Sequence, residues 1–471
     1  MANGQDSPIQ KLPVELLTKI FYHASSVPGM DAVGEGITYN WDAAHLVKHM
    51  LIPVVLQSVC SFWREIALAT PTLFTQILLP WSRVFYWYRD VDLNALIPRW
   101  LKYSRNLPLQ VFFDALGEPS ESWPRSHISK AALSLLNTHM DRIIDLCIIE
   151  GRGLATLFPP ATSTDLPRLR RLHIRYYTSF TFIEVGDISI PSIVDLSVTG
   201  YTWPRWRRFI YLSDALTKFA CTGTSMMVPS LLHLLHQHPN LQHIRVQYIK
   251  YKLEDPQTVA HFPEIFIAPA LNYLSLEWVE DADGLRQFLK LLRAPQLRSL
   301  LVLQNSEDIS DGVSLFPDIT TFIDASQADK LEHISVETRS SHPPSDAILN
   351  LLKLTPNVKE IRFLWPYAPD PKTGITHSLF KKTRDIFHLD WMLRPTHPIP
   401  LDDFIELLSS LFDGAAEQLG NLDVLKATIS DRPSWVAYKN IERAEVIFVR
   451  NWCRFPCLRY EGLRIEIDFS D

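Results

Sequence analysis

Apolar residues near the start of the chain fall at helical spacing. Leu12, Leu16, Leu17, Ile20, Phe21 and Ala24 share one face of a predicted helix. Pro13 stands just inside its start, where a missing N–H costs nothing, and Glu15 complements the positive end of the helix dipole. A second stripe, Ile52, Val55, Leu56, Val59, Trp63, Ile66 and Ala67, predicts a further helix that Pro71 ends. Two such short amphipathic helices are unstable alone, so they must pack on each other and on a larger body.

From Leu107 the pattern changes. Leu107 to Phe113, with Val111, Phe112 and Phe113, predicts a first strand. A unit of the form L-x-x-L-x-L then recurs, with variation, starting at Ile143, Leu169, Ile193, Leu216, Leu241, Leu271, Leu297, Leu331 and Val358. The intervals are 26, 24, 23, 25, 30, 26, 34 and 27 residues. Pro167, Pro191, Pro239, Pro269, Pro295 and Pro356 each lie two residues before the first apolar position. A proline there is expected to stop a preceding helix and pre-set an extended backbone. The last two apolar residues of each unit face one side of a strand. Stacking the strands in parallel buries that side against return helices. Ser230 to His238, Gly284 to Arg293 and Ser345 to Leu354 carry leucine pairs at helical spacing and are the predicted returns. Tyr248–Phe266 and Asn305–Ala328 read as insertions. After Trp365 the pattern fails. Prolines 366, 369, 371, 395, 398 and 400 bracket an excursion. Leu401 to Leu411 has a helical period, and Leu463, Ile465, Ile467 and Phe469 alternate as an edge-like final strand.

Two family resemblances sit on these residues. Leu12-Pro13-x-Glu15-Leu16-Leu17-x-x-Ile20-Phe21, followed by Val59-Cys60-x-x-Trp63-Arg64-x-Ile66-Ala67 and Pro71-x-Leu73, resembles the F-box motif. It covers about the first 75 residues and departs in the middle, where Ser25 to Met50 insert a Gly- and Asp-containing loop. The repeat intervals lie near the leucine-rich-repeat period of roughly 20–29 residues. These repeats lack the usual Asn after the strand. The whole layout is similar to the fungal F-box/leucine-rich-repeat proteins.

The expected fold is therefore α/β: a small helical F-box module, then an irregular leucine-rich-repeat solenoid with a parallel β-sheet on its concave face. The expected divisions are a flexible N-terminus at 1–10, the module at 11–80 and a connecting helical segment at 81–106. The solenoid follows at 107–365, and a Pro-rich excursion with a C-terminal cap fills 366–471.

Composition narrows the function. Hydrophobic residues make up 46% of 471, ample for a large core, and the length exceeds one ordinary domain. A net charge of −6 argues against a nucleic-acid partner. Five cysteines in so long a chain are no disulfide framework. The N-terminal MANGQDSPIQK has no apolar signal core, and no run is long enough for a membrane helix. The expected location is cytoplasm or nucleus, with no membrane partner.

The chain carries few residues in patterns that imply chemistry. Glycine-rich phosphate loops and the Gly-x-Ser-x-Gly elbow are absent. His233, His236, His238 and His243 are a conceivable metal cluster, though a solvated helix end before Pro239 explains them more simply. Cys453 and Cys457 have no partner pair, and the basic, aromatic stretch Trp203 to Tyr211 reads as a surface loop. No cofactor or metal is implied, and no enzyme is expected.

The resemblance implies a substrate-recognition subunit of an SCF-type cullin-RING ubiquitin ligase. The F-box would bind a Skp-family adaptor, and through it the cullin complex, while the repeats hold an unknown protein target. Adaptor-binding residues would be Leu12, Pro13, Glu15, Leu16, Leu17, Ile20, Phe21, Val59, Trp63, Arg64, Ile66, Pro71 and Leu73, some of them forming the module's core instead. The x positions of each strand point to the concave face. They include Asp195, Ser197, Ser275, Ser299, Leu301, Ser335 and Glu360. The target-binding set among them is Arg171, His173, His243, Arg245, Tyr273, His333 and Arg362. A protein-interaction scaffold without ubiquitin-ligase role, and an unrecognised enzyme, stand as alternatives. Cullin co-purification separates the first.

Overall fold

A computed structural model describes residues 8–25, 43–80, 93–114, 130–149, 158, 163–175, 188–200, 210–250, 265–277, 282–303, 315–337, 351, 354–355, 358, 360–365, 388–393, 424–430 and 464–470. It is a mixed α/β protein with parallel strand pairing. Two compact units divide at Thr224 and Ser225, inside the 107–365 span expected to be one array.

The first unit opens with three helices, α1 (Val14–Ser25), α2 (Ala43–Val59) and α3 (Ser61–Ala69). The single second stripe is thus two helices. Cys60 breaks it: its backbone is extended, and its thiol accepts the Trp63 N–H at 3.4 Å as the N-cap of α3. α2 also begins at Ala43, so the insertion expected over 25–50 is helical in its last third, while 26–42 lie outside the described residues. The connecting segment contains the helix Leu93–Tyr103.

Leu107–Phe113 is not the first strand. Gln76–Pro80, inside the expected module, comes first and pairs with Leu109–Asp114. Ile143–Ile149, Arg171–Arg175, Asp195–Thr199 and Lys218–Met227 follow in sequence order, all in parallel register. Ile77, Val111, Leu146, Leu172, Leu196 and Phe219 form one buried column across these strands. The second unit repeats the arrangement. Ile244, Leu274, Leu300, Ile334, Ile361, Leu389, Leu425 and Ile465 align in register, the last three on strands His388–Leu393, Val424–Ser430 and Arg464–Ser470. The strand pattern therefore continues past Trp365, through the region read as an excursion and cap. The helix expected at Leu401 to Leu411 lies outside the described residues.

The prolines act differently from expectation. Pro167, Pro191, Pro239, Pro269 and Pro295 each occupy the second position of a tight turn. The turn closes when Leu169, Ile193, Leu241, Leu271 and Leu297 donate their N–H three residues back, at 3.1–3.4 Å. Proline's fixed φ suits that position. Ser213 to Leu216 and Ala328 to Leu331 make the same turn without proline, at 3.2 Å. The turn leads into each of these seven strands, and at Pro239 it directly follows the end of the helix Val228–Gln237, as expected.

The returns also differ between units. Helices Val228–Gln237, Ala282–Leu291 and Phe316–Ser326 return the second unit's chain, the last inside the stretch read as an insertion. In the first unit the helices Leu93–Tyr103 and Lys130–Asn137 precede the second and third strands, and Thr164–Asp165, Ile188–Ile190 and Ile210–Leu212 then form a three-stranded parallel ribbon. The alternating β-branched Ile188 and Ile190 suit a strand, whereas VPSLLHLLHQ has paired leucines at helical spacing.

Gly223 marks a tight point. Its φ is 72°, and a Cβ there would lie 3.0 Å from the backbone N of Gly200. Gly200 itself donates to the Thr222 carbonyl at 2.7 Å. Gly223→Ala would gain roughly 0.4–1 kcal/mol from a stiffer unfolded chain but lose more to left-handed strain and the contact, about 1–3 kcal/mol. A net loss of stability is expected in urea unfolding. An unchanged or higher midpoint would refute this account of Gly223.

Candidate functional site

Two surfaces carry the residues singled out above. On the helical module, burial sorts the motif. Leu17, Phe21, Ile66 and Leu73 are buried, and the Phe21 ring packs on half-buried Trp63 with centroids 4.9 Å apart. Leu12 and Pro71 are half-buried, while Pro13, Glu15 and Arg64 are exposed. Arg64 Nε donates to the Gln57 carbonyl at 2.9 Å, tying α3 back to α2. Leu16, Ile20 and Val59 are 47%, 50% and 54% exposed. The two expected stripes are therefore split: one helical face serves the core and a neighbouring one meets solvent. Val14, Tyr22, Val54 and Val55, outside the expected adaptor-binding set, are exposed too. Among the described residues, eight of eleven exposed large apolar side chains lie between Ile9 and Val59. The other three are Ile265, Ile267 and Leu354.

The second surface is the polar face of the strands. In the first unit Gln76, Gln110, Asp145, Arg171, Asp195 and Lys218 stand side by side in register. Gln76 donates to Gln110 at 3.1 Å, and Gln110 donates to Asp145 at 3.0 Å. Arg171 grips the same carboxylate with two nitrogens, Nε at 2.7 Å. Arg171 is thus not an open contact, as expected of a target-binding residue, but one link of a ladder. The sequence signal for Asp145 was its place in the repeat, equivalent to Arg171. Asp195 is buried rather than open. Burial pushes its carboxyl pKa up against the pull of Lys218 and Arg171, with Asp145 adding to the rise.

His173 lies next to this ladder on the strand Arg171–Arg175. Burial, then the Arg171 charge, push its pKa down to about 4, with Asp145 opposing. A depressed histidine stabilises the fold above its unfolded pKa of 6.5, and this stability is lost as pH falls towards 4. His173→Gln should remove that acid-side loss. Melting temperature measured from pH 7 to pH 4 should fall less steeply in the variant. Parallel curves would show that His173 takes no part.

In the second unit Arg245 is likewise engaged. Its Nε and one terminal nitrogen donate to Glu277 at 2.6 and 3.0 Å, and Ser275 donates to the same carboxylate at 2.9 Å. Ser275 is fully buried, against expectation. The His243 and Tyr273 rings stack at 5.7 Å. His333 is half exposed, with Glu332 4.0 Å away. Arg362 takes the register position between Ser335 and Asp390. Reversing Arg245 would therefore break an internal pair before it touched any partner.

His233 and His236 lie on the helix Val228–Gln237, and His238 is buried at its end. Among the described residues no three His, Cys, Asp or Glu side chains gather as a metal-binding group, and no helix is long and apolar enough to cross a membrane. Cys453, Cys457 and Trp203 to Phe209 lie outside the described residues. Compared with known proteins, the chain matches no family model and no curated protein sequence.

Proposed function

We propose that this chain is a substrate-recognition subunit of an SCF-type ubiquitin ligase. Its helical module binds a Skp-family adaptor, and its strand face binds a protein target. One observation carries the reading: within the F-box-like stretch, Leu16, Ile20 and Val59 are exposed while Leu17, Phe21 and Ile66 form a core. A purely structural hairpin has no reason to hold so many apolar side chains in water, since each forgoes roughly 25 cal/mol per Å² of burial. The repeated L-x-x-L-x-L strands support a leucine-rich-repeat solenoid for the remainder. On this reading the protein makes no bonds itself; it raises the effective concentration of its target at the ligase. Reconstitution of the full chain with purified Skp-family adaptor and cullin, beside its Leu16→Ala/Ile20→Ala variant, tests it. Co-purification of both partners that the variant loses supports the proposal. Capture of adaptor alone supports the scaffold reading, and capture of neither removes the ligase reading.

A further inference from the structure

We infer that the second unit binds a zinc-type divalent cation at His333, Glu360 and His388, which share one register position on three neighbouring strands. The site goes beyond the ligase reading and does not depend on it. Parallel pairing sets Glu360 beside His333, and His388 beside Glu360. One residue later the same pairing aligns Ile334, Ile361 and Leu389, and Ile334 is buried. Alternation along a strand therefore places His333, Glu360 and His388 on the face away from that apolar column. The juxtaposition is one of backbone register; the side chains of Glu360 and His388 lie outside those described. His333 is half exposed and so accessible to an ion. Neighbouring strands lie roughly 4.8 Å apart, which separates the two outer Cα positions by about 9.6 Å. An ion above the middle strand is then within reach of an imidazole from each side and a carboxylate between them, at about 2.0–2.2 Å. Two imidazoles and a carboxylate are a donor set that zinc accepts, with a fourth position left over. Glu332 is placed to fill it. Its carboxylate lies 4.0 Å from His333 Nε2, near the roughly 3.3 Å that separates two donors on one tetrahedral ion. Glu332 and Glu360 together would balance a charge of two. Ser299 and Val424, at the same register position on either side, add no competing charge. Arg362, two residues beyond Glu360, has Asp390 at its own register position.

The test is calorimetric titration of zinc chloride into the untagged full chain after treatment with a chelator. One equivalent should bind with a Kd below about 10 μM. Affinity should fall about a hundredfold for His333→Ala and for His388→Ala, and about tenfold for Glu360→Gln. His233→Ala/His236→Ala removes the densest histidine pair elsewhere, on the helix Val228–Gln237, and should bind as wild type. Cobalt(II) in place of zinc should give the strong visible absorption of a four-coordinate ion, and Glu360→Gln should weaken it. Glu360→Gln keeps the side chain's size, so it remains readable if a histidine variant fails to fold. Absence of saturable binding, binding unchanged by all three substitutions, or loss only in His233→Ala/His236→Ala overturns the inference. Adaptor capture by the three variants should stay at the wild-type level.

Discussion

Replacing Leu16 and Ile20 together by alanine is expected to abolish capture of a Skp-family adaptor while leaving the fold intact. Both side chains are about half exposed, so their removal opens no cavity. The stability change should stay near 0.5 kcal/mol, as for ordinary surface substitutions. Leu17→Ala and Phe21→Ala are the controls. Both residues are fully buried, and Phe21 contacts Trp63. Each truncation should cost about 2–5 kcal/mol through lost transfer energy and a cavity. Those variants lose adaptor binding only because the module unfolds. A pull-down with purified adaptor, paired with circular-dichroism melting, separates the two effects. Wild-type binding by the folded Leu16→Ala/Ile20→Ala variant would remove the adaptor role assigned to α1.

The second large effect concerns the strands. Leu274→Asp should unfold the second unit. Leu274 is fully buried, in register between Ile244 and Leu300. An aspartate there is an unpaired charge among apolar columns, and its cost exceeds the about 4–5 kcal/mol that marks exceptional destabilisation. Its neighbour supplies the contrast. Tyr273 lies one residue earlier, half-buried on the opposite face, so Tyr273→Asp should cost only about 1 kcal/mol, mostly the His243 ring contact. Urea unfolding followed by tryptophan fluorescence reads both. Equal losses from the two substitutions would contradict the alternation on which the strand assignment stands.

Several features were legible because they depend on period alone. Leu172, Leu196, Leu274 and Leu300 were expected inward, and all are at most 1% exposed. A strand with one buried face leaves no other side for its apolar set. Features that depend on a third dimension were not legible. Cys60 looked like one more residue in a stripe, yet its extended backbone splits the stripe into α2 and α3. Leu16 and Leu17 are adjacent and chemically identical, but neighbours on a helix lie roughly 100° apart, and only packing selects which turns inward. Arg171 and Arg245 read as open charges. Their acceptors lie 26 and 32 residues away, Asp145 on the neighbouring strand and Glu277 just past the end of the strand Tyr273–Leu276.

By itself, then, the sequence determined the periods: two for each strand, 3.6 for each helix, and roughly 25 residues for the repeat. Side-chain alternation is a property of the backbone and needs no partner. Tertiary structure decided which polar groups are already satisfied. Parallel register sets Gln110, Asp145 and Arg171 side by side, within hydrogen-bonding reach, and so pairs them with one another. It also decided which side chains flank Leu301, Ser275 on one side and Ser335 on the other, because cross-strand neighbours follow from register and not from sequence distance.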